Sequence, residues 1–391
     1  GPRRTACHGR CNKPSYGTDP AASSKGPGPG YPLAGEAQSH HKTNHRQSFL
    51  RGFPSPPGGL SPGMGRTSRQ PSTFENNGGL MLDSYQRKID YMRISITDCC
   101  HFQCAYCKSD HPQKLKHQDI LSYEQLLLIV DQAIQLGINK FKITGGEPTI
   151  RKDYLFFIKE LKKREVEVTL TTNGSLFTKK DLDCLKEIGI DGINFSIDTL
   201  DLREYFLLTQ QDCLETVLDN LFYAYQLKIP VKINCVMDDT FHLKRLNDLM
   251  DLIKDKKIAV RFIELMPLNR EQRNQKIRDV IKYLKKYPIQ EYLDKLGNGP
   301  AHYYTIEGYA GYIGFIEALH YKFCHQCNRL RLTSTGKIKP CLFYEEMYDL
   351  KPYLNNEKQL RLHLEKAIKL KPKEHHFEEN ISYKRMNEKG G

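Results

Sequence analysis

Six short apolar segments alternate with longer segments of helical periodicity, and this alternation constrains the fold more than any other feature of the sequence. The apolar segments cover residues 92–97, 140–144, 166–172, 192–197, 231–237 and 259–264. Helical patterns lie between them at 123–135, 154–163, 179–188, 214–227 and 243–254. Such spacing is typical of parallel βα units. It predicts an α/β fold in which six units form a partial, open (βα)6 barrel.

Each predicted strand ends in a polar or glycine-rich signature. These are the cysteine-rich loop 97–107, Gly145-Gly146-Glu147-Pro148, Thr171-Thr172-Asn173-Gly174, Ser196-Ile197-Asp198, Lys232-Ile233-Asn234 and Arg261-Phe262-Ile263-Glu264. Taken singly, each has an ordinary explanation as a turn, a helix-entry loop or an N-cap. Catalytic residues of barrels gather at the carboxyl ends of the strands. Together the six signatures therefore predict one site that faces the cysteines.

Three thiols stand close together on the loop after the first predicted strand. Cys100, Cys104 and Cys107 have the spacing C-x3-C-x2-C, and three soft ligands suit a metal or an iron–sulfur cluster. A structural zinc site takes four protein ligands, whereas a cubane held by three cysteines leaves one iron open to a small molecule. A zinc knuckle with His101 as the fourth ligand is the alternative.

A second set of three cysteines follows near the C-terminus. Cys324 and Cys327 are separated by two residues, and Cys341 follows after thirteen more. The segment 333–338 with Gly336 predicts a hairpin that carries the chain back to Cys341. We favour a second open cluster over zinc, for which His325 would be the awkwardly placed fourth ligand.

Two arginines directly follow this second set. Arg329 and Arg331 are two residues apart, so on an extended strand their side chains project together. Two guanidinium groups beside a cluster form a suitable cradle for a phosphate or a purine edge. Solvent-exposed strand arginines are the alternative.

Composition sets the broad class of the protein. The 391 residues carry a net charge of +13, which fits an anionic partner, either nucleic acid or a phosphorylated small molecule. There is no apolar run of membrane-spanning length, so we expect a soluble protein without a membrane partner. Twelve cysteines without a signal peptide predict reduced thiols that serve as ligands.

Residues 1–78 differ from the remainder in composition. They are rich in Gly, Pro, Ser and Arg and lack apolar periodicity, which predicts disorder. The segment has the character of an organelle transit peptide, but a non-native or upstream-translated extension is favoured. Cys7 and Cys11 lie in it and are not expected to bind a metal. The predicted organisation is a disordered extension at 1–78, a barrel at 79–270 and a C-terminal domain at 271–391.

These motifs resemble those of the molybdenum-cofactor GTP 3',8-cyclase family, within the radical S-adenosylmethionine (SAM) superfamily. The first cysteine loop matches the superfamily, and C-x2-C-N-R-L-R followed by a lone cysteine is the most specific match to the family. Further matches are Leu82-Asp83-Ser84 through Arg93-Ile94-Ser95, Thr144–Pro148, 170–174, 194–198, 231–234, 261–267, Gly299-Pro300-Ala301, 323–332 and the terminal Gly390-Gly391.

The resemblance implies a role for each matching residue. Cys100, Cys104 and Cys107 would hold one [4Fe-4S] cluster, and Cys324, Cys327 and Cys341 a second one in the C-terminal α+β extension. SAM would be bound by Tyr106, Gly146, Ser196 and Met266. GTP would be bound by Arg93, Lys142, Thr171, Lys232, Arg261, Arg329, Leu330 and Arg331.

The same resemblance implies the activity and the partners. Reductive cleavage of SAM would give a 5'-deoxyadenosyl radical that takes hydrogen from C3' of GTP, and the resulting radical would attack C8 of guanine. This lyase reaction is the first step of molybdenum cofactor biosynthesis. Implied partners are GTP, a flavodoxin-like or similar reductant, the downstream cyclic pyranopterin monophosphate synthase and a second copy in a homodimer, but neither nucleic acid nor membrane. The expected location is the cytoplasm, or an organelle matrix if residues 1–78 are a transit peptide.

Several positions depart from the family pattern, and other functions stay open. The departures are Cys99, His101, Gln103, Lys142, His242 and Lys389. Lys142 keeps a positive charge but loses bidentate geometry, and Cys99 adds a fourth thiol able to misligate iron. The alternatives are a peptide-modifying radical SAM enzyme, a zinc-bearing nucleic-acid-binding module and a catalytically dead homologue.

Overall fold

A computed structural model describes residues 81–104, 106–107, 117–265, 276–294, 296–317 and 323–376. The predicted disordered extension at 1–78, with Cys7 and Cys11, lies outside these residues. So do Met266, Lys389 and the two terminal glycines.

The first two thirds of the described chain repeat a strand–helix unit. The elements are β1 (Tyr91–Ser95), α1 (Tyr123–Gln135), β2 (Lys140–Thr144), α2 (Tyr154–Lys162), β3 (Glu167–Thr172), α3 (Lys179–Ile188), β4 (Gly192–Ser196), α4 (Leu202–Thr209), α5 (Leu214–Gln226), β5 (Val231–Met237), α6 (Leu243–Ile253) and β6 (Ala259–Glu264). All six predicted strands and all five predicted helices are present, with ends within two residues of the expected positions. The additional helix α4 is short and is capped at its N-terminus by Asp201, whose carboxylate accepts hydrogen bonds from the backbone N–H groups of Arg203 and Glu204.

The remaining elements follow a different order. They are α7 (Lys276–Leu284), β7 (Ile289–Tyr292), β8 (His302–Ile306), β9 (Tyr312–Ile316), β10 (Arg329–Leu332), β11 (Lys337–Lys339), β12 (Tyr348–Asp349) and α8 (Glu357–Lys369). The predicted hairpin is confirmed, because β10 and β11 pair in antiparallel fashion and Gly336 turns between them with φ of +86°.

All twelve strands belong to one sheet, in the order β12-β11-β10-β1-β2-β3-β4-β5-β6-β9-β8-β7. Strands β1 to β6 are parallel neighbours, as the alternation predicted. Two strands from the C-terminal part extend this parallel set: β10 pairs with β1, and β9 pairs with β6. The C-terminal part therefore borders both sides of the six-stranded unit, and the domain boundary at residue 270 stays a prediction.

Alternation along the strands places one side chain in the core and the next on the opposite face. In β5, residues 231, 233, 235 and 237 are buried and the intervening residues are half-buried. The core is a continuous apolar cluster between the sheet and helices such as α1, which contributes Leu126, Ile129 and Val130. Arg93 and Lys142 alternate with core residues of β1 and β2 and therefore lie on the other face of the strands. No helix within the described ranges has the length and apolar character needed to cross a bilayer.

Candidate functional site

Both sets of cysteines line the same cavity. Its volume is about 370 Å³, within the usual range for small-molecule sites. The predicted site residues that line it are Arg93, Cys100, Cys104, Tyr106, Cys107, Gly146, Thr171, Ser196, Cys324, Cys327, Arg329, Arg331 and Cys341. The carboxyl ends of the strands thus meet in one site, as the signatures predicted.

The first cysteine loop rests on the glycine-rich loop after β2. The N–H of Gly146 donates to the carbonyl of Thr97 at 2.8 Å, and the N–H of Glu147 donates to the carbonyl of Cys99 at 2.7 Å. A Cβ atom on Gly146 would lie 2.3 Å from the carbonyl oxygen of Cys99. Only glycine permits this approach, which fixes the backbone directly before Cys100.

The carboxylate of Glu147 joins two neighbouring strand ends. It accepts hydrogen bonds from the hydroxyl of Thr172 at 2.6 Å and from the backbone N–H of Asn173 at 2.7 Å. Burial raises the pKa of Glu147, and these hydrogen bonds oppose the shift. Sequence analysis assigned no role to this residue, although it belongs to the signature after the second strand.

Tyr106 and Asp198 connect the cysteine loop to β4. The Tyr106 hydroxyl donates to Oδ2 of Asp198 at 2.6 Å, and Oδ1 of Asp198 accepts from the backbone N–H of Val236 at 2.7 Å. Burial raises the pKa of Asp198 to about 6, against the opposing effect of these hydrogen bonds. Asp198 is therefore a positioning group that the sequence marked only as a strand-end residue.

Among the described residues, the charged groups that act on the thiols of Cys100 and Cys104 are negative. Burial, with smaller contributions from the neighbouring Glu147 and Cys99, raises the pKa of Cys100 to about 11. Burial also raises the pKa of Cys104, to which Cys107 and Asp198 add. Three such thiols suit a cationic iron core, because metal coordination stabilises the thiolate.

The second set of thiols lies in a setting of opposite charge. Cys324 begins a short 3-10 turn, and the N–H of Cys327 donates to its carbonyl at 3.1 Å. Burial alone would raise the pKa of Cys327, but Arg329 and Lys371 outweigh it and lower the pKa to about 6. This thiol is therefore held in the form that binds iron.

A belt of cations crosses the sheet at one level. Arg331 on β10, Arg93 on β1 and Lys142 on β2 are in register across three adjacent strands. Burial lowers the pKa of Arg93 and of Lys142, and neighbouring positive charges add to the effect for both. Like charges gathered in a buried place are unfavourable unless an anion joins them.

The belt continues into a second cavity of about 290 Å³ at the other end of the strands. Lys142, Lys232 and Arg261 line it, together with the loop that contains Gly297 and Gly299. Arg261 donates to Oδ1 of Asn194 at 2.6 Å. Burial, with a smaller contribution from Arg261, lowers the pKa of Lys232 to about 8.

Several polar atoms around the two cavities are buried without a hydrogen-bond partner. Among the described residues these include Nε of Arg93, Arg261, Arg329 and Arg331, Nδ2 of Asn173 and Oδ1 of Asn234. Buried donors of this kind are normally satisfied. The unpaired guanidinium nitrogens fit an anionic ligand, and the two asparagines fit a polar one such as SAM.

The positions of the predicted GTP residues divide between the cavities. Arg93, Thr171, Arg329 and Arg331 line the larger one, and Lys142, Lys232 and Arg261 the smaller. The Leu330 side chain is fully buried in the apolar core, so a ligand contact from this residue would have to involve its backbone. Met266 lies outside the described residues.

Within the described part of the chain, no three His, Cys, Asp or Glu side chains converge closely enough to hold a single metal ion. The cysteine sets are instead spread around the larger cavity. A four-iron cluster is wider than one ion, and its ligands stand further apart.

Two protein-family models match this chain, and they identify the class of protein to which the fold and the cysteine loop belong. Residues 94–253 match the model of the radical SAM superfamily. Residues 258–377 match the model described as Molybdenum Cofactor Synthesis C. The superfamily match supports SAM and an iron–sulfur cluster as cofactors.

Curated relatives narrow the class to one family. The GTP 3',8-cyclase of Peptoclostridium acidaminophilum is 38% identical over 318 residues, which cover 79% of this chain and 98% of the relative. The GTP 3',8-cyclase of Alkaliphilus metalliredigens (strain QYMF) is 38% identical over 321 residues, or 80% of this chain and 100% of the relative. The chain belongs to the GTP 3',8-cyclase family, and the resemblance drawn from its motifs is confirmed.

A solved structure shares the fold. Streptococcus suis SuiB bound to S-adenosylmethionine matches with a TM-score of 0.51 and 18% identity. The match covers 66% of this chain and 63% of that chain. At this level of identity the likeness concerns the α/β fold alone.

Proposed function

We propose that the protein is a lyase that converts GTP to (8S)-3',8-cyclo-7,8-dihydroguanosine 5'-triphosphate, the first step of molybdenum cofactor biosynthesis. One observation carries this proposal: two sets of three cysteines and three arginines, Arg93, Arg329 and Arg331, line the same cavity. The adjoining cationic belt supports a substrate with several negative charges.

Two [4Fe-4S] clusters account for the two cysteine sets. Cys100, Cys104 and Cys107 would hold one cluster, with SAM bound near Tyr106, Gly146, Ser196 and Met266. Cys324, Cys327 and Cys341 would hold the other, on the side of the guanine ring. Acidic groups act on the first cysteine set, whereas Arg329 and Lys371 act on Cys327 of the second. This difference in local charge supports different tasks for the two clusters.

A partial barrel explains how distant strands share one cavity. Strands β10 and β9 are separated by seven strand spacings in the sheet order, which in a flat sheet is roughly 34 Å. Yet Arg331 on β10 and Ile316 on β9 line the same cavity. Curvature of the parallel strands into an open barrel brings them together.

The protein's own residues bind and orient the substrate. Arg329 and Arg331 would hold the nucleoside end of GTP beside the second cysteine set. Lys142, Lys232 and Arg261 would hold the triphosphate in the smaller cavity, with Arg93 and Thr171 between. The unpaired buried guanidinium nitrogens of the four arginines gain partners when the anion binds, which stabilises the complex.

The cofactors would supply the electron transfer and the carbon radical, while the surrounding residues hold SAM and exclude water. The hydrogen bond between Tyr106 and Asp198 holds the cysteine loop against β4. The contact of Gly146 with Cys99 holds it against β2. Two strand ends thereby fix the position of the first cluster relative to the substrate.

Anaerobic reconstitution followed by incubation with SAM, dithionite and GTP tests the proposal. We expect about eight irons per chain, from two cubanes, and formation of 5'-deoxyadenosine together with the cyclised nucleotide. Formation of 5'-deoxyadenosine without a cyclised product would contradict GTP as the substrate. A protein unable to cleave SAM would contradict the reaction class.

Adjacent cysteines provide a matched control. Cys100→Ser should remove SAM cleavage and about four irons, because it deletes a cluster ligand. Cys99→Ser changes the neighbouring thiol, which belongs to neither set, and should retain both. An equal loss of iron and of SAM cleavage in the two variants would contradict the assignment of Cys100 as a cluster ligand.

The proposed cellular setting follows from this reaction. A flavodoxin-like reductant would supply the electron, and cyclic pyranopterin monophosphate synthase would consume the product. The protein would act in the cytoplasm, or in an organelle matrix if residues 1–78 serve as a transit peptide. Analytical ultracentrifugation tests the expected homodimer.

A further inference from the structure

Lys371 is a buried cation beside the second cysteine set. It is 3% exposed, and its ammonium group donates to the carbonyls of Arg329 at 2.9 Å and Pro340 at 2.7 Å. These carbonyls lie two residues after Cys327 and one residue before Cys341. Lys371 therefore joins the two chain segments that carry these cysteines.

Hydrogen bonds from Arg87 fix the segment that follows Lys371. The guanidinium of Arg87 donates to the carbonyls of Pro372 at 2.6 Å, Lys373 at 2.9 Å and Cys324 at 2.7 Å. Arg87 in turn forms an ion pair with Asp83 at 2.6 Å, in which both side chains are buried. The ammonium group of Lys371 is thus fixed relative to all three cysteines.

Among the described residues, the negative groups that act on the buried charge of Lys371 are sulfur ligands. Among the ion pairs of the described residues, none joins Lys371 to a carboxylate. Burial lowers the pKa of Lys371 and the positive Arg87 adds to the shift, whereas the sulfurs of Cys327 and Cys341 oppose it and favour the charged form. Removing an ammonium from water costs several kcal/mol, and two carbonyls alone would be served equally well by a neutral amide.

We propose that Lys371 is a positioning residue whose charge raises the reduction potential of the cluster held by Cys324, Cys327 and Cys341. The inference rests on the proposed function, which places a [4Fe-4S] cluster on these thiols. Uptake of one electron makes the cluster more negative by one unit, and a fixed cation nearby stabilises that reduced state. The first cysteine set has Glu147 and Asp198 as its charged neighbours instead.

A redox titration of the second cluster alone tests this role. In a parent variant, Cys100, Cys104 and Cys107 are changed to Ala, so that only the second set can hold iron. The parent is reconstituted anaerobically and its iron content is measured. It is then titrated with dithionite, which donates one electron per cluster, and the signal of the reduced cluster is followed by electron paramagnetic resonance. A parent without iron would refute the second cluster of the proposed function, and this inference with it.

Substitutions at Lys371 then separate charge from structure. Lys371→Gln keeps an N–H donor for the two carbonyls but removes the charge, and should shift the reduction equilibrium at least tenfold towards the oxidised form, or about 59 mV for one electron. Lys371→Arg should keep the parent potential. The control is Lys369→Met, because Lys369 is an exposed lysine two residues away that donates to the carbonyl of Leu82; it should leave the potential unchanged.

Three results would overturn the proposal. An unchanged potential in Lys371→Gln would show that the charge is irrelevant. Loss of iron from Lys371→Gln with a retained fold would mean that the residue serves cluster assembly instead. An equal shift in Lys369→Met would assign the effect to net surface charge.

Discussion

The substitution Gly146→Ala tests how strictly the first cysteine loop is positioned. The added Cβ would lie 2.3 Å from the carbonyl oxygen of Cys99 and 2.5 Å from that of Asp98. Ordinary contact begins at 3.4 Å, so the backbone before Cys100 must move by about 1.1 Å. Both sides of this contact are backbone, so no side-chain rotation can relieve it.

The expected losses of unfolding free energy and of SAM cleavage follow from this displacement. Overpacking a filled site costs about 1–3 kcal/mol of unfolding free energy. A misplacement near 1 Å in a catalytic arrangement can reduce the rate by about 100-fold. We therefore expect Gly146→Ala to retain its second cluster while SAM cleavage falls by about two orders of magnitude.

The assay compares iron content, SAM affinity and 5'-deoxyadenosine formation with those of Gly189→Ala. Gly189 ends α3 with φ of +76° and has no atom within 4 Å of its Cβ position. Its substitution costs about 1–2 kcal/mol through backbone strain alone. Gly189→Ala should therefore lose a similar amount of unfolding free energy to Gly146→Ala without changing the site. Normal SAM cleavage in Gly146→Ala, or an equal loss in Gly189→Ala, would refute the positional argument.

Three further predictions concern single side chains. Cys99→Arg should keep or improve the iron content measured after reconstitution, since it removes a competing thiol; a loss of iron would contradict this. Arg331→Met should weaken GTP binding at least tenfold by calorimetry, since a charged hydrogen bond is worth about 1.5–3 kcal/mol; the GTP-free chain should be no less stable to urea, because burial and the charges of Arg93 and Arg329 lower the pKa of Arg331 to about 9. Asp198 has a pKa raised to about 6 by burial, against about 3.9 unfolded. The folded chain therefore holds the extra proton in this interval, and urea unfolding of the cluster-free protein should show stability falling by about 2 kcal/mol from pH 4 to pH 6. Asp198→Asn should flatten that profile.

The strand and helix pattern was readable from the sequence because apolar periodicity is local. Helix α1 has the predicted ends, and its first turn carries a capping box formed by Ser122 and Gln125. The cysteine spacing and the paired arginines after Cys327 were equally local signals. Helix α4 was missed because only three of its eight residues are buried, so its apolar pattern is weak.

The parts that escaped sequence analysis depend on contacts between distant segments. Nothing in the sequence near Arg329 indicates that β10 pairs with β1, more than two hundred residues earlier. The roles of Asp198 and Lys371 likewise depend on partners from other elements: Tyr106 and Val236 for Asp198, and the carbonyls of Arg329 and Pro340 for Lys371. Such charged residues are usually exposed, so only the folded arrangement distinguishes them.

The pairing of β9 and β10 with opposite sides of the six-stranded unit has a consequence for biogenesis. While the chain is being synthesised, β1 to β6 emerge first, and both outer strands present unpaired backbone groups until the later strands arrive. Open strand edges of this kind favour association between chains. Newly made chains should therefore need chaperone protection until residues beyond 332 have left the ribosome, and truncation before β10 should yield insoluble protein even though every residue of the first cysteine set is present.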